Sequence, residues 1–305
     1  MNKILFSGIF FAIFAAVTYG MNPFFGIPLY QEGLTPLSVL FYRFFFAAIL
    51  MGSVLLCGKG KFLLPKRYWL SVAGAGTMMA LTCLFWFFSF RLMDSGVAAA
   101  LLFVYPVMVA LIMRIVFREK ISRLTLTGMI ISVAGVVILC NPDTGSKVNW
   151  PGIILIMLSA LTYALYLVGV KNSRLKELAP DTLTFYAMCG SVVIFLIPLR
   201  MGVDLQPLPS VKAWMNVLGL ALFPSLCSFL FAALAIRRIG PTTTAILGAL
   251  EPVTAVLIGI FFFKEKISFL SFTGIVMILL AVIIVITGKN QTLPASQADP
   301  AENLS

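Results

Sequence analysis

The chain has no histidine and little charge: of its 305 residues 11% are charged, against 61% that are hydrophobic. Soluble domains carry about 25% charged residues. So little charge cannot clothe one or two water-soluble domains, which the length alone would suggest. The solvent that tolerates such a composition is lipid. The lack of histidine removes the commonest general base and metal ligand. Cysteine is sparse as well. Cys57, Cys83, Cys140, Cys189 and Cys227 are odd in number, sit in or at the ends of apolar runs, and show no CxxC spacing. They read as small buried apolar residues, with no disulfide or metal role. No GxxxxGK[ST] motif occurs, so the chain carries no nucleotide motor of that kind.

What the chain does have is long apolar runs. A membrane-spanning helix needs about 20 mainly apolar residues. The sequence divides on that rule into ten segments: Ile4–Met21, Pro36–Cys57, Tyr68–Phe90, Val97–Phe117, Leu124–Cys140, Trp150–Val170, Thr182–Leu199, Ala213–Ile236, Pro241–Phe263 and Phe269–Thr287. The breaks between them carry turn residues, among them Gly58-Lys59-Gly60-Lys61, Asn141-Pro142-Asp143 and Ala179-Pro180-Asp181. Ile4–Met21 is longer than the core of a signal peptide and more spans follow, so it reads as the first helix. The expected fold is an all-α integral membrane protein of ten transmembrane helices. The polar tail, residues 290–305, is expected to be a disordered cytoplasmic segment.

The formal charge of +11 is compatible with nucleic acid or with an anionic membrane surface, and position decides between them. With the N-terminus in the cytoplasm and ten alternating helices, the inner segments and helix ends hold 15 Lys and Arg and the outer ones 6, with Arg43 alone deep inside a helix. The inside excess places both termini in the cytoplasm and accounts for the basic charge without nucleic acid.

The chain also repeats itself. Residues 117–128 read Phe-Arg-Glu-Lys-Ile-Ser-Arg-Leu-Thr-Leu-Thr-Gly, and residues 263–274 read Phe-Lys-Glu-Lys-Ile-Ser-Phe-Leu-Ser-Phe-Thr-Gly. At the same offset Pro106-Val107 aligns with Pro252-Val253; at nearby offsets Thr18-Tyr19 matches Thr162-Tyr163 and Phe41-Tyr42 matches Phe185-Tyr186. The expected organisation is a five-helix repeat at 1–145 and a second at 146–289. Because five is odd, homologous halves must enter the membrane from opposite sides. Inverted repeats of this kind are a common architecture of secondary transporters, with the substrate near the midplane where the halves meet. Duplication for fold stability alone is the competing explanation.

These features together resemble the EamA-type transporters of the drug/metabolite transporter superfamily: the five-plus-five layout, the Pro-Val pairs, the Glu-Lys-Ile-Ser ends, and Arg43 within Phe41-Tyr42-Arg43-Phe44. The resemblance covers about residues 4–288. It implies a bacterial inner-membrane protein with a central cavity lined mainly by helices one, three, four, six, eight and nine. Helices five and ten would be peripheral, near a homodimer contact. It also implies carriage of amino acids, other metabolites or toxic compounds, commonly outward.

Within the spans only Arg43 and Glu251 carry charge well inside, and an ionisable group there costs at least about 2.5–3.5 kcal/mol. Glu251 lies about ten residues into helix nine, near the midplane, just before Pro252. It is a candidate proton carrier or ligand for a cationic group, set against a neutral structural glutamate. Tyr105, its repeat-mate, also precedes a proline, Pro106. Arg43 cannot lose its proton and needs a partner; helix-end carbonyls, Glu251 and Glu265 are the alternatives, and the expected role is a structural anchor or gate. Among the many aromatics, the polar-edged Tyr19, Tyr163, Tyr166 and Trp86 are the better candidates for substrate contact, with Thr18, Thr162, Asn22 and Ser228. Pro106, Pro224 and Pro252 are candidate hinges. Ser122 and Ser268 are expected N-caps of helices five and ten.

Three functions compete. The first is a secondary transporter of small metabolites, amino acids or related amphipathic solutes, or alternatively of multiple drugs and cationic compounds, exporting by alternating access, with protons or another ion as the coupling partner. The second is an intramembrane enzyme, which would want paired carboxylates, a Ser/His or Cys/His set, or metal ligands; the sequence supplies none, and no catalytic residue, metal or cofactor is assigned. The third is a passive channel, which a duplicated architecture with proline-broken helices fits less well.

Overall fold

A computed structural model describes residues 3–57, 64–89, 92, 98, 101–139, 149–263 and 269–292. Glu265, Ser268, Cys140 and the tail from residue 293 lie outside the described residues. Among the described residues the structure is helical throughout, without strands.

The first half contains α1 (Lys3–Gly20), α2 (Asn22–Gln31), α3 (Pro36–Cys57), α4 (Trp69–Ser89), α5 (Tyr105–Ile115) and α6 (Arg123–Leu139). The second contains α7 (Trp150–Asn172), α8 (Pro180–Leu196), α9 (Val211–Leu220), a π-helical segment Ala221–Cys227, α10 (Ser228–Ile239), α11 (Pro241–Leu247), α12 (Leu250–Phe263) and α13 (Phe269–Thr292). Among the described residues, six stretches are long and apolar enough to cross a membrane: Lys3–Gln31, Pro36–Cys57, Lys66–Ser89, Trp150–Asn172, Val211–Ile239 and Pro241–Phe262. Four shorter apolar helices, Tyr105–Ile115, Arg123–Ile138, Pro180–Leu196 and Phe272–Thr287, fall in the remaining expected segments.

The helix ends follow from local chemistry. Ser210 caps α9 by accepting from the Ala213 N–H at 2.9 Å, and Ser122 accepts from the Thr125 N–H at 3.1 Å ahead of α6. Pro180 opens α8, where its missing N–H costs nothing. The first span runs further than the sequence suggests. The expected first segment ends at Met21, yet α2 follows with Pro23 in its first turn, a place proline tolerates, and the span continues to Gln31.

Packing pairs the halves. α1 lies along α10 and α4 along α7; α3 packs on α8, and α6 packs on α13. The last pair approaches closely because small residues meet there: a Cβ on Gly135 would fall 3.0 Å from Ile278 and 3.1 Å from the Gly274 carbonyl oxygen. Buried Leu40, Phe44, Met79, Tyr105, Leu167, Leu183 and Phe195 belong to one core that includes residues of both halves. The outward faces are apolar too: Phe261 is 75% and Phe269 83% exposed. Such a surface suits acyl chains, since no water is needed to satisfy helices whose backbone bonds are internal.

Candidate functional site

The site begins with a fault in a helix. Gly240, at φ +86°, lets the chain turn from α10 into α11. Seven residues later α11 ends and the backbone tightens over Gly248-Ala249. The Ala249 N–H donates to the Ile246 carbonyl at 3.1 Å, a three-residue reach, and so does not serve Ala245. Pro252 has no N–H for the Gly248 carbonyl, which instead accepts from Glu251 at 2.9 Å. The Ala245 carbonyl thus loses its regular partner inside an apolar bundle, and the hydroxyl of Tyr105 donates to it at 3.1 Å.

Tyr105 comes from a matching fault. Phe103 and Val104 form a turn, and α5 starts at Tyr105 with Pro106 next. Glu251 stands likewise in the first turn of α12, with Pro252 next. Each span therefore breaks within four residues ahead of its proline, so that a helix N-terminus opens beside the repeat-mates. The approach is tight: a Cβ on Gly248 would collide with the Tyr105 hydroxyl and lie 3.4 Å from Glu251 Oε1. Only glycine admits this arrangement.

Tyr105 and Glu251 line one cavity with Tyr163, Ser228 and Thr244, while Ala12, Ala15, Ala16, Ala232 and Ala245 form its small-residue walls. The free space at its centre is about that of one water molecule. The rings of Tyr105 and Tyr163 meet edge to face, 4.7 Å between centroids. Thr244 Oγ1 is committed to the Gly240 carbonyl at 2.8 Å. The Glu251 carboxyl and the hydroxyls of Tyr163 and Ser228 have no hydrogen-bond partner among the described residues. Among those residues, too, no group of three or more Cys, His, Asp or Glu could hold a metal ion.

Arg43 anchors a separate cluster beside this one. It is 3% exposed. Nε donates to Ser225 Oγ at 2.6 Å, one terminal nitrogen to Asn22 Oδ1 at 2.8 Å, and the other to the Pro224 carbonyl at 3.0 Å. The π-helical segment makes this possible. The Ser228 N–H reaches back five residues to Phe223 and leaves Pro224 to Arg43. Pro224 cannot donate to the Leu220 carbonyl, and Ser225 Oγ donates to it in its place at 3.0 Å. Of the partners open to Arg43 in the sequence, a backbone carbonyl is the one it meets. No carboxylate stands within ion-pair distance of it among the described residues, and Glu265 lies outside them. Tyr19 stands between the two clusters, with the Arg43 guanidinium 5.6 Å from its ring centroid and with electrostatic contact to both Arg43 and Glu251.

The remaining candidates lie elsewhere. Thr18 bonds to carbonyls of its own helix, at 2.8 and 3.0 Å. Thr162 Oγ1 and Thr82 Oγ1 share a 2.9 Å bond that ties α7 to α4. Asn22 is held by Arg43. Trp86 packs with Ile156 and Ala98, away from the cavity walls. Tyr166 is buried against the edge of Phe229. Sequence reasoning passed over Gly248, Thr244, Ser225 and the Ala245 carbonyl. A run of three threonines after Gly240-Pro241, and a serine directly after Pro224, were the available signals.

An all-helical apolar bundle whose broken helices meet at one cavity, with a carboxyl in its wall, has the build of a membrane carrier. The chain belongs to the EamA-like transporter family, whose model matches residues 6–141 and 150–287. It is 28% identical over 290 residues to the uncharacterized inner membrane transporter YedA of Escherichia coli K12, covering 92% of this chain and 91% of that one. It is 26% identical over 302 residues to protein PecM of Dickeya dadantii, covering 95% and 97%. An uncharacterized transporter of Archaeoglobus fulgidus matches at 27% identity over 249 residues, 81% of this chain and 86% of that one. A solved crystal structure superposes with a TM-score of 0.80 over 94% of this chain and 99% of the other, at 14% identity, a likeness of fold alone.

Proposed function

We propose that this protein is a secondary transporter of the bacterial inner membrane, which exports small metabolites by alternating access between two inverted five-span halves. Residues 1–145 and 146–289 are the halves, and both termini are cytoplasmic. The observation that carries the reading is the matched pair of helix breaks, which brings Tyr105 from one half and Glu251 from the other to a single cavity. Three further features support it. Six stretches long and apolar enough to cross a membrane, with four shorter apolar helices between and after them, fit a reading of ten spans. The same family model fits both parts of the chain. The helix pairings are those of a two-fold relation between halves: α1 on α10 and α7 on α4 are equivalent pairs, whereas α3 on α8 and α6 on α13 map onto themselves. Discontinuous helices at such an interface are where transporters place their substrate and coupling sites. The outward direction rests on the resemblance to exporters and on nothing in the geometry.

In this cycle Glu251 carries the proton and the halves rock around it. The test is transport in proteoliposomes under an imposed pH gradient. Glu251→Gln is expected to abolish gradient-driven accumulation while leaving solute exchange measurable. Accumulation equal to that of the unmutated protein rules out Glu251 as the proton carrier.

A further inference from the structure

The cavity's polar groups divide by whether the protein already uses them. The hydroxyl of Tyr105 is committed to the Ala245 carbonyl and that of Thr244 to the Gly240 carbonyl. The Glu251 carboxyl, Ser228 Oγ and the Tyr163 hydroxyl make no hydrogen bond among the described residues, and all three residues line the same cavity. Uncommitted polar groups that converge in an apolar bundle are costly unless something arrives to bond them. A carboxylate is acceptor-only, and the two hydroxyls can turn their protons away and accept as well. The set is therefore complementary to a group with three donors and no acceptor, carrying positive charge. That is the description of a primary ammonium. Its size agrees, because the free space is about one water across, and an –NH3+ head is close to water in volume. The edge-to-face rings of Tyr105 and Tyr163 add aromatic surface beside the charge.

The lining of the same cavity carries no cationic side chain to pair with an anion. The nearest deep cation, Arg43, is not in the lining and donates to Asn22, Ser225 and the Pro224 carbonyl, which are not in it either. Arg237 is turned to the Leu175 and Leu178 carbonyls, and Arg238 lies over the Phe11 ring. The walls on the other side are alanines of α1 and α10. A carboxylate brought in with the ammonium would be buried against methyl groups and beside the Glu251 carboxyl.

From these observations, and resting on the transport reading of this cavity, we infer that its substrate class is small primary amines that lack a carboxylate, the ammonium held by Glu251, Ser228 and Tyr163. Amino acids, whose ammonium comes with a carboxylate, fall outside the class. Quaternary ammonium compounds do too, because they have no N–H to give the three acceptors.

The experiment is equilibrium binding to the detergent-purified full chain, by titration calorimetry, with four probes sharing one aryl tail: 2-phenylethylamine, L-phenylalanine, 3-phenylpropanoate and (2-phenylethyl)trimethylammonium. The amine is expected to bind at least about tenfold more tightly than each of the others, the worth of one charge-assisted hydrogen bond. Glu251→Gln should weaken the amine by at least about tenfold, and Ser228→Ala by a smaller factor, with melting temperatures confirming that both variants fold. Should Glu251→Gln not fold, Ser228→Ala and the four-probe ranking on the unmutated chain still decide. Equal or tighter binding of L-phenylalanine or the quaternary compound overturns the assignment, as does amine binding indifferent to Glu251, or no binding by any probe. Binding needs no flux, so the two readings fail separately. An amine that binds but is never carried across proteoliposome membranes refutes transport and leaves the ammonium site. An amino acid that is bound and carried in its place refutes the ammonium site and leaves transport.

Discussion

Tyr105 and Glu251 hold equivalent places in the two halves, yet one closes a bond that the other's helix has opened. The Tyr105 hydroxyl serves the Ala245 carbonyl, three residues ahead of the Gly248 whose missing side chain makes room for it. Tyr105→Phe keeps the ring and removes only that donor. Leaving a buried carbonyl unserved costs about 1–3 kcal/mol, so the variant should unfold at a lower temperature, measured by intrinsic fluorescence in detergent. An unchanged midpoint would show that the bond contributes nothing. At this scale the sequence speaks through cost. Arg43 and Glu251 stand out because charge inside an apolar stretch is expensive and has to be explained. Their surroundings do not stand out, because what Arg43 and Tyr105 bind are backbone carbonyls, which every residue has. Only a distortion of the helix makes one carbonyl available and leaves its neighbours tied.

The distortions themselves belong to the elements. Proline marks each of them, and its position in the sequence locates a break to within a few residues, at Pro106, Pro224 and Pro252. Proline does not say which form the break takes: a turn before α5, a tightened turn before α12, or a π-helical segment between α9 and α10. That choice depends on which neighbour can serve the freed carbonyls. Asn22-Pro23 shows the converse, since a proline just beyond the expected end of the first segment sits in a first turn and lets the span run on. The break before α12 depends most on Gly248. Gly248→Ala would set a methyl against the Tyr105 hydroxyl and 2.9 Å from the Ala245 carbonyl oxygen, where neither side can yield without parting α5 from α11. It is expected to cut uptake of 2-phenylethylamine by proteoliposomes at least about tenfold, if the worth of one such bond is lost from the carrier's cycle. Gly74→Ala, with nothing within 4 Å of the added carbon, is the control and should be neutral. Equal uptake by the two variants would remove Gly248 from the mechanism.

For the molecule as a whole, the all-helical build and the stretches long and apolar enough to cross a membrane were legible because apolar runs of that length have few other readings. A membrane protein states its architecture in hydropathy more plainly than a soluble one, whose strands and helices share residue types. Orientation is legible only as a charge bias, and it can be checked directly. Met201, 76% exposed, and Glu177 flank α8, so the proposed topology puts them on opposite faces. On a background with the five native cysteines replaced, a membrane-impermeant maleimide should label Met201→Cys in intact cells and Glu177→Cys only after permeabilisation. The reverse pattern inverts the orientation, and labelling of both from one side means that α8 does not cross. One asymmetry remains at this scale. Arg43 aligns with Ala187 in the repeat, so the knot joining α2, α3 and the π-helical segment would exist on one side only of the proposed two-fold. In the proposed cycle the two mouths of the carrier open against unequal resistance. Unequal resistance alters dwell times, and it cannot move a point of balance: a carrier without fuel of its own comes to rest where the gradients say, whatever the shape of its doors. The one-sided knot therefore chooses the face at which the empty carrier waits, and the gradients across the membrane choose where the solute goes.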